Sequence, residues 1–381
     1  MITAEEALRH GEVAVVTGDV RIEGNSLLLG GGVQIRFIRT LRLPESGTHP
    51  LPPGLGEFPL RRVEDFPGTV PRPWLARGGV MLPVYLREAL WLSFAGSREP
   101  AALQIGVGKV CAVSGERWTG RLARKPQNYV VLPRQPWLDG INSGRGTVRQ
   151  FVAVPLGLGA TVEGQVTGEE TTGGVQLQAF GLSRAALGAW REEQRVRAEL
   201  AARARPAAAP PWPGGPAAAP GAPAGVPGGG YGAAFPAAMA APPAPGGPPP
   251  QAAAMGLGAG GSMRQEVYQD DRPLSDWAED PAGRVFVHLV TPPDWRRITG
   301  EEAPPSPVDR AAYTRAGLPW FDYYDEDGTD LAPTGTLSQV KPVGDWLGDD
   351  HTPWAPPGAH QVQPLGDVPP PPGTPVKDGD W

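Results

Sequence analysis

The string Gln135-Pro-Trp-Leu-Asp-Gly140 sets three residues with directed chemistry at alternating positions. In an extended chain residues two apart share a face, so Gln135, Trp137 and Asp139 project together. Trp137 would offer a flat ring to a sugar or a base, and Asp139 with Gln135 would add directed hydrogen bonds. The plainer reading is a Pro-Trp anchor in a core corner, with Asp139 opening an Asp-Gly turn. Trp91 and Glu88, with Arg87 beside them, form a second group, and Arg149, Gln150 and Glu163 form a third. Arg149 and Glu163 read as an ion pair across two paired strands. Asp139 with Glu163 or Glu88 would suit general acid–base hydrolysis if the fold held two carboxyl groups about 5–9 Å apart.

Other chemistry is excluded by spacing. The loop Gly140-Ile-Asn-Ser-Gly-Arg-Gly146 lacks the Lys-Ser/Thr pair of a phosphate loop and the glycine spacing of a dinucleotide fingerprint, so it reads as a hairpin loop. His10, His49, His288, His351 and His360 share no metal-ligand spacing with one another or with Cys111. The acidic run from Asp322 to Asp330 fits no EF-hand register. No metal or cofactor is expected. The single cysteine, Cys111, forms no internal disulfide and sits in an apolar strand-like context, as a small buried hydrophobe does. Lys109, two residues away, would share its face in a strand and leaves a reactive thiol as the alternative.

The elements that would position these groups are mostly strands. Val20 and Ile22, Leu27-Leu-Leu29, then Val33, Ile35 and Phe37 alternate with polar residues between glycine turns, as a β-meander does. An earlier strand over residues 13–16 and a short helix opened by Thr3-Ala-Glu-Glu6 precede them. Eight prolines between residues 44 and 79 forbid long ladders, yet Leu51, Phe58, Leu60, Phe66 and Trp74 predict an ordered loop over the sheet. Further strands are expected at residues 88–94, 102–107, 109–113, 129–132, 148–154, 161–166 and 175–180. Short strands parted by Gly and Pro turns point to a mainly β fold, a β-sandwich or barrel-like module over residues 1–182.

A helix of good formers, 183–205, follows as a connector. Residues 206–263 then run without one charged side chain and are almost wholly Pro, Ala and Gly, the composition of a disordered linker. Upstream of it the chain carries net charge +6 and downstream −12, within the whole-chain −6. The downstream part, 264–345, reads as a small acidic α+β module with a strand at 284–290 and helices at 292–298 and 309–316, before a disordered Pro-rich tail at 346–381. About 80 residues make a small core. The opposite charges therefore predict that the acidic module contacts the basic one and completes its sheet. The basic residues are scattered and form no nucleic-acid stripe.

No stretch approaches about 18 apolar residues, so no membrane span is expected. The N-terminus lacks an apolar secretory core, and a cytoplasmic protein is the expectation. The bias to Ala, Gly, Pro and Arg over Lys resembles a high-GC bacterial genome.

Four strings, Leu82-Pro-Val-Tyr-Leu-Arg-Glu-Ala-Leu-Trp-Leu-Ser-Phe94, Gln135-Pro-Trp-Leu-Asp-Gly-Ile141, Val148-Arg-Gln-Phe-Val-Ala-Val-Pro-Leu-Gly157 and Thr161-Val-Glu-Gly-Gln-Val-Thr-Gly168, resemble an uncharacterised family of bacterial and fungal proteins. Ala316-Gly-Leu-Pro-Trp-Phe-Asp-Tyr-Tyr324 resembles the C-terminal part of its bacterial members. Members are sometimes labelled integral membrane proteins, a label the hydropathy here opposes. The resemblance implies no catalytic residues. The functional expectation is a β-rich binding or scaffold protein, with a carbohydrate or peptide ligand on a face carrying Trp91, Gln135, Trp137, Asp139, Arg149 and Glu163. A paired-carboxylate hydrolase, and an assembly protein recruiting partners through its acidic and Pro-rich segments, are the alternatives.

Overall fold

The computed structural model describes residues 20–204, 254–305, 320–321, 329–332, 334–347, 362–363, 374–377 and 379. The chain divides into two units, residues 1–188 with 251–381, and residues 189–250. The sequence expectations at residues 3–6, 13–16 and 309–316, most of the charge-free tract, and the acidic run over 322–328 lie outside the described residues.

The first unit is mainly β. Eleven of its described strands form one sheet. Its main path begins with β20 (Thr374–Pro375), then β1 (Val20–Glu23), β2 (Ser26–Leu29), β3 (Val33–Thr40) and β8 (Ala89–Ser93). It continues through β14 (Thr147–Pro155) and β16 (Met255–Arg264) to β4 (Thr48–His49). β5 (Gly54–Glu57) pairs with β3, β12 (Trp137–Leu138) with β8, and β13 (Gly140–Gly144) with β14.

The second sheet runs β10 (Val110–Cys111), β9 (Ala101–Val107), β15 (Val175–Gly181), β17 (Gly283–Val290), β7 (Val80–Pro83) and β6 (Arg61–Arg62), with β11 (Val130–Leu132) also on β9. Pairs are antiparallel except β16 with β4 and β17 with β7. β18 (Trp320–Phe321) and β19 (Val362–Gln363) make a separate parallel pair. One continuous core joins Leu27, Ile35, Phe37, Leu90 and Phe151 of the larger sheet to Leu103, Ile105, Leu177, Val285 and Val287 of the smaller, which makes the unit a β-sandwich.

Both sheets are also covered on an outer face. Over the smaller sheet, helices α1 (Arg72–Arg77) and α4 (Pro292–Thr299) bury Trp74, Trp295 and Ile298 against Met81 and Val290. Over the larger, Val343 of α6 (Val343–Leu347) and Ala160 pack on Ala89, Val152 and Val154. Coverage on two sides explains why β8 and β9 are buried throughout rather than alternating; over β9 the cover is the Trp118 ring against Gly106 and the Arg121 carbonyl that accepts from Gln104.

Three expectations are corrected. Residues 161–166 are not a strand: Thr161 accepts a hydrogen bond from Gly164 N and caps helix α2 (Val162–Thr167), which ends at Gly168 with φ 77°. Val162 and Val166 are four apart, a helical spacing that also occurs in an alternating strand. The linker boundary at 263/264 falls inside β16, because Met255–Arg264 pairs with β14 along its length. Tail residues Thr374–Pro375 form β20, which pairs with β1, and Val376 is buried behind them.

The Pro-rich stretch is ordered, as expected, but it also contains α1. Pro71 and Pro73 at its start and Gly78 after its end carry the signal that could have revealed it. Helix α3 (Arg184–Ala204), the expected connector, bears Arg195 paired with Glu192 and Glu199 on its surface. The remaining short helix, α5 (Gly335–Ser338), buries Leu337. No helix among the described residues is long and apolar enough to cross a membrane.

Candidate functional site

The expected aromatic face exists in the strand pattern but not as a surface. Trp137 stands opposite Ser93 in the β12–β8 register, and Trp91 opposite Ile38. Alternation puts Trp91, Ser93, Trp137 and Asp139 on one side of the larger sheet. That side is roofed by the segment from Leu41 into the Pro-rich stretch: Gln150 Nε2 donates to Leu41 O, Leu43 N donates to Gln150 Oε1, and Thr40 Oγ1 donates to Pro53 O. Trp91 is 5% exposed, Trp137 4% and Asp139 0%. A ring packed in the core cannot stack on a ligand, so the Trp91–Trp137 recognition face is withdrawn.

Asp139 is enclosed in the core, where its Oδ1 has no hydrogen-bond partner among the described residues. Its Oδ2 accepts from Trp137 Nε1 at 3.0 Å, and its N–H donates to Gln265 Oε1 at 3.0 Å. Burial raises its carboxyl well above the ordinary range, against the indole hydrogen bond. Gln135 serves as a buried clamp: its amide donates to Trp137 O and Glu266 O and accepts from Tyr268 N.

Glu88 is paired with Arg39 at 2.7 Å and accepts from Tyr85 N at 2.8 Å. Burial pushes its carboxyl up, opposed by Tyr85 N–H and Arg39. Glu163 does not meet Arg149, which lies on β14 opposite Ile141 and Ser262. Instead Glu163 accepts from the backbone N–H groups of Thr171, Thr172 and Gly173. The expected cross-strand pair is absent because Glu163 is on a helix. Asp139, Glu88 and Glu163 share no hydrogen-bond partner, and each holds a different piece of backbone or side chain.

Cys111 is 3% exposed, and burial pushes its thiol up, so its environment opposes thiolate formation. Lys109 does not share its face: it has φ 62° in the β9–β10 turn and is exposed.

The groups that do converge are on the outer face of the smaller sheet. In β17, Val285, Val287 and Leu289 point into the sandwich, so Phe286 and His288 point outward. Helix α1 lies over them, and Trp74 and Arg77, three apart, share one side of it. Trp74 stacks on His288 with centroids 4.4 Å apart and planes at 23°. Phe286 lies 4.5 Å from His288, and the Arg77 guanidinium sits 5.1 Å over the Phe286 ring. Arg77 Nη1 donates to Thr172 O at 3.2 Å. These residues, with Pro71, Thr171, Gly174 and Met255, line a cleft of about 210 Å³.

His288 Nε2 lies 3.1 Å from Gly78 O. A carbonyl only accepts, so Nε2 carries the hydrogen and Nδ1 keeps the lone pair. Burial drives the imidazole down to about 3, with the Gly78 carbonyl opposing and the Arg77 charge assisting. His288 is therefore a neutral acceptor at pH 7, not a base.

From its ordinary value of 6.5 to about 3, the unfolded chain binds a proton that the folded one refuses, so stability is lost as pH drops across that window. His288→Gln keeps a donor for Gly78 and cannot titrate. Urea unfolding at pH 4.5 and 7.5 should show wild type losing about 2–3 kcal/mol more than the variant on acidification. Equal losses would remove His288 as the cause.

A larger hollow of about 680 Å³ lies beside Arg121, Phe180, Leu274 and Trp277. Its indole nitrogen is already donated to Asp270. The Trp74–His288–Arg77 cleft was missed in the sequence because its parts lie more than 200 residues apart and none belongs to a recognisable motif. No family model, curated protein or solved structure matches the chain.

Proposed function

We propose that this protein is a β-sandwich binding protein whose recognition site is the cleft between α1 and β17. The observation that carries the reading is the packing of His288 between Trp74 and Phe286, with Arg77 at the edge of the same cleft. His288, 3% exposed, is walled in by the two rings and stiffens the floor of the cleft, and the Arg77 guanidinium supplies charge and directed donors at its edge, an arrangement prepared before any ligand arrives. A peptide or carbohydrate group bearing an acceptor suits the half-buried Arg77 guanidinium. The opposite charges of the two chain segments support their association, with Arg61 on Glu301 and Arg134 on Asp271 as described contacts. The hydrolase reading gains nothing from Asp139, Glu88 and Glu163, which are buried and share no hydrogen-bond partner.

Peptide and glycan arrays probed with the full chain, followed by titration of the hits, test the reading. Arg77→Ala should weaken a true hit about tenfold or more, the scale of one charge-assisted hydrogen bond. Trp137→Phe should leave the affinity unchanged. A hit that ignores Arg77→Ala and His288→Gln places recognition elsewhere.

A further inference from the structure

A second cleft, of about 230 Å³, adjoins the Thr171-Thr172 segment and is lined by Lys109, Arg117, Trp118 and Glu169. Both clefts count Thr171 and Thr172 among their walls. That shared wall is held in place, because Glu163 accepts all three N–H groups from Thr171 to Gly173. Among the described residues, Arg77, Lys109 and Arg117 have no carboxylate partner, as Arg121 and Arg149 have none, whereas Arg36, Arg39, Arg42, Arg61, Arg62 and Arg134 do. Among the described residues, three cations without a carboxylate partner thus border adjoining clefts, against one exposed carboxylate, Glu169, and a Glu163 already engaged by backbone N–H groups.

Lys109 adds an independent sign. It holds φ 62° at the tip of the β9–β10 turn, next to Gly108 at φ 59°. Glycine or asparagine is the usual occupant of such a position, and a lysine there costs conformational energy without a packing return, since its side chain is exposed.

We infer that the two clefts are subsites of one groove that binds an extended acidic peptide, with carboxylates meeting Arg77 in the first cleft and Lys109 with Arg117 in the second. This rests on the cleft proposed above and adds its ligand class. A peptide is favoured over an acidic sugar because the aromatic faces of the first cleft are already stacked on one another, and Trp118 of the second lies against Gly106. The groove therefore offers point charges and backbone rather than an open ring platform.

The probe is a fluorescent deca-glutamate peptide titrated against the full chain at rising salt, with oligogalacturonate of equal charge as the second arm. Deca-glutamate should bind, weaken with salt, and lose about tenfold in affinity with Arg77→Ala and again with Lys109→Gly/Arg117→Ala. Glycine suits the turn at 109, and Arg77→Gln serves as a second variant should Arg77→Ala unfold; thermal melts confirm the fold of each. Binding that depends on Arg77 alone overturns the two-subsite groove and leaves the first cleft standing. Preference for oligogalacturonate overturns the peptide assignment. Absence of deca-glutamate binding, or binding indifferent to all three cations, overturns the inference, while an array hit that still needs Arg77 keeps the cleft itself.

Discussion

Gly258→Val should destabilise the fold by about 3 kcal/mol or more, or abolish soluble expression. A Cβ at this position would come within 2.6 Å of Ala160 O and 2.7 Å of Val343 Cγ2. One of those atoms is backbone, so a rotamer change cannot relieve the clash. Gly258 pairs with Val152 in the β14–β16 ladder, which also fixes how far the strand can shift. Gly260 faces Val152 Cγ2 at 2.6 Å, and Gly261 faces the Pro44 carbonyl, so the whole Gly-rich strand is a close approach of backbone to its neighbours. Urea denaturation of wild type and variant reads the effect. A midpoint unchanged by Gly258→Val would mean that residues 255–264 do not pair with β14 in solution. The matched control is Gly188→Val, because a Cβ there meets nothing within 4 Å.

Arg39→Met should cost about 3–5 kcal/mol at pH 8, since it leaves the Glu88 carboxylate buried without its partner. The pair is 2.7 Å apart, and the side chains are 7% and 1% exposed, with the Arg39 guanidinium 5.5 Å over the Phe58 ring. Burial already pushes the Glu88 carboxyl above its ordinary value with Arg39 present. Without Arg39 that value rises further. The folded variant then binds a proton that the unfolded chain releases, so its stability declines as pH rises above the unfolded value of 4.5. The penalty should accordingly shrink at pH 5. Arg39→Met with Glu88→Leu should recover most of the loss, because a buried ion pair often gives way to apolar packing at little net cost. A single variant as stable as wild type, or a double variant worse than the single, would contradict the buried-pair account.

Much of the sandwich was legible from local pattern. Val33, Ile35 and Phe37 alternate and became β3, and residues 148–154 and 175–180 became the bodies of β14 and β15. The hairpin at Gly140–Gly146 also formed, as β13 running back into β14. Composition misled at Met255–Met263. Glycine and alanine there resemble the tract before them, but they are small because α2, the Pro-rich stretch and α6 crowd the strand. Composition records side-chain size and not the reason for it.

Alternation placed Trp91, Trp137 and Asp139 on one face, and the register agrees. What alternation cannot tell is whether a face is open, since cover comes from a segment elsewhere in the chain. The loop carrying Leu41, Leu43 and Pro53 closes this face, and it is joined there by Gln150 and Thr40 through hydrogen bonds between residues up to 109 apart.

By itself, then, the sequence determined the mainly β class, most strand positions, the ordered Pro-rich cover and the charge contrast between its ends. These follow from period-two hydrophobicity, turn residues and composition, all local properties. Only the tertiary structure decided that β16 enters the larger sheet, that the indoles of Trp91 and Trp137 are core, and that His288 meets Trp74, Phe286 and Arg77. The physical reason is that burial and the meeting of side chains depend on which distant backbone covers a face, and no local periodicity encodes that.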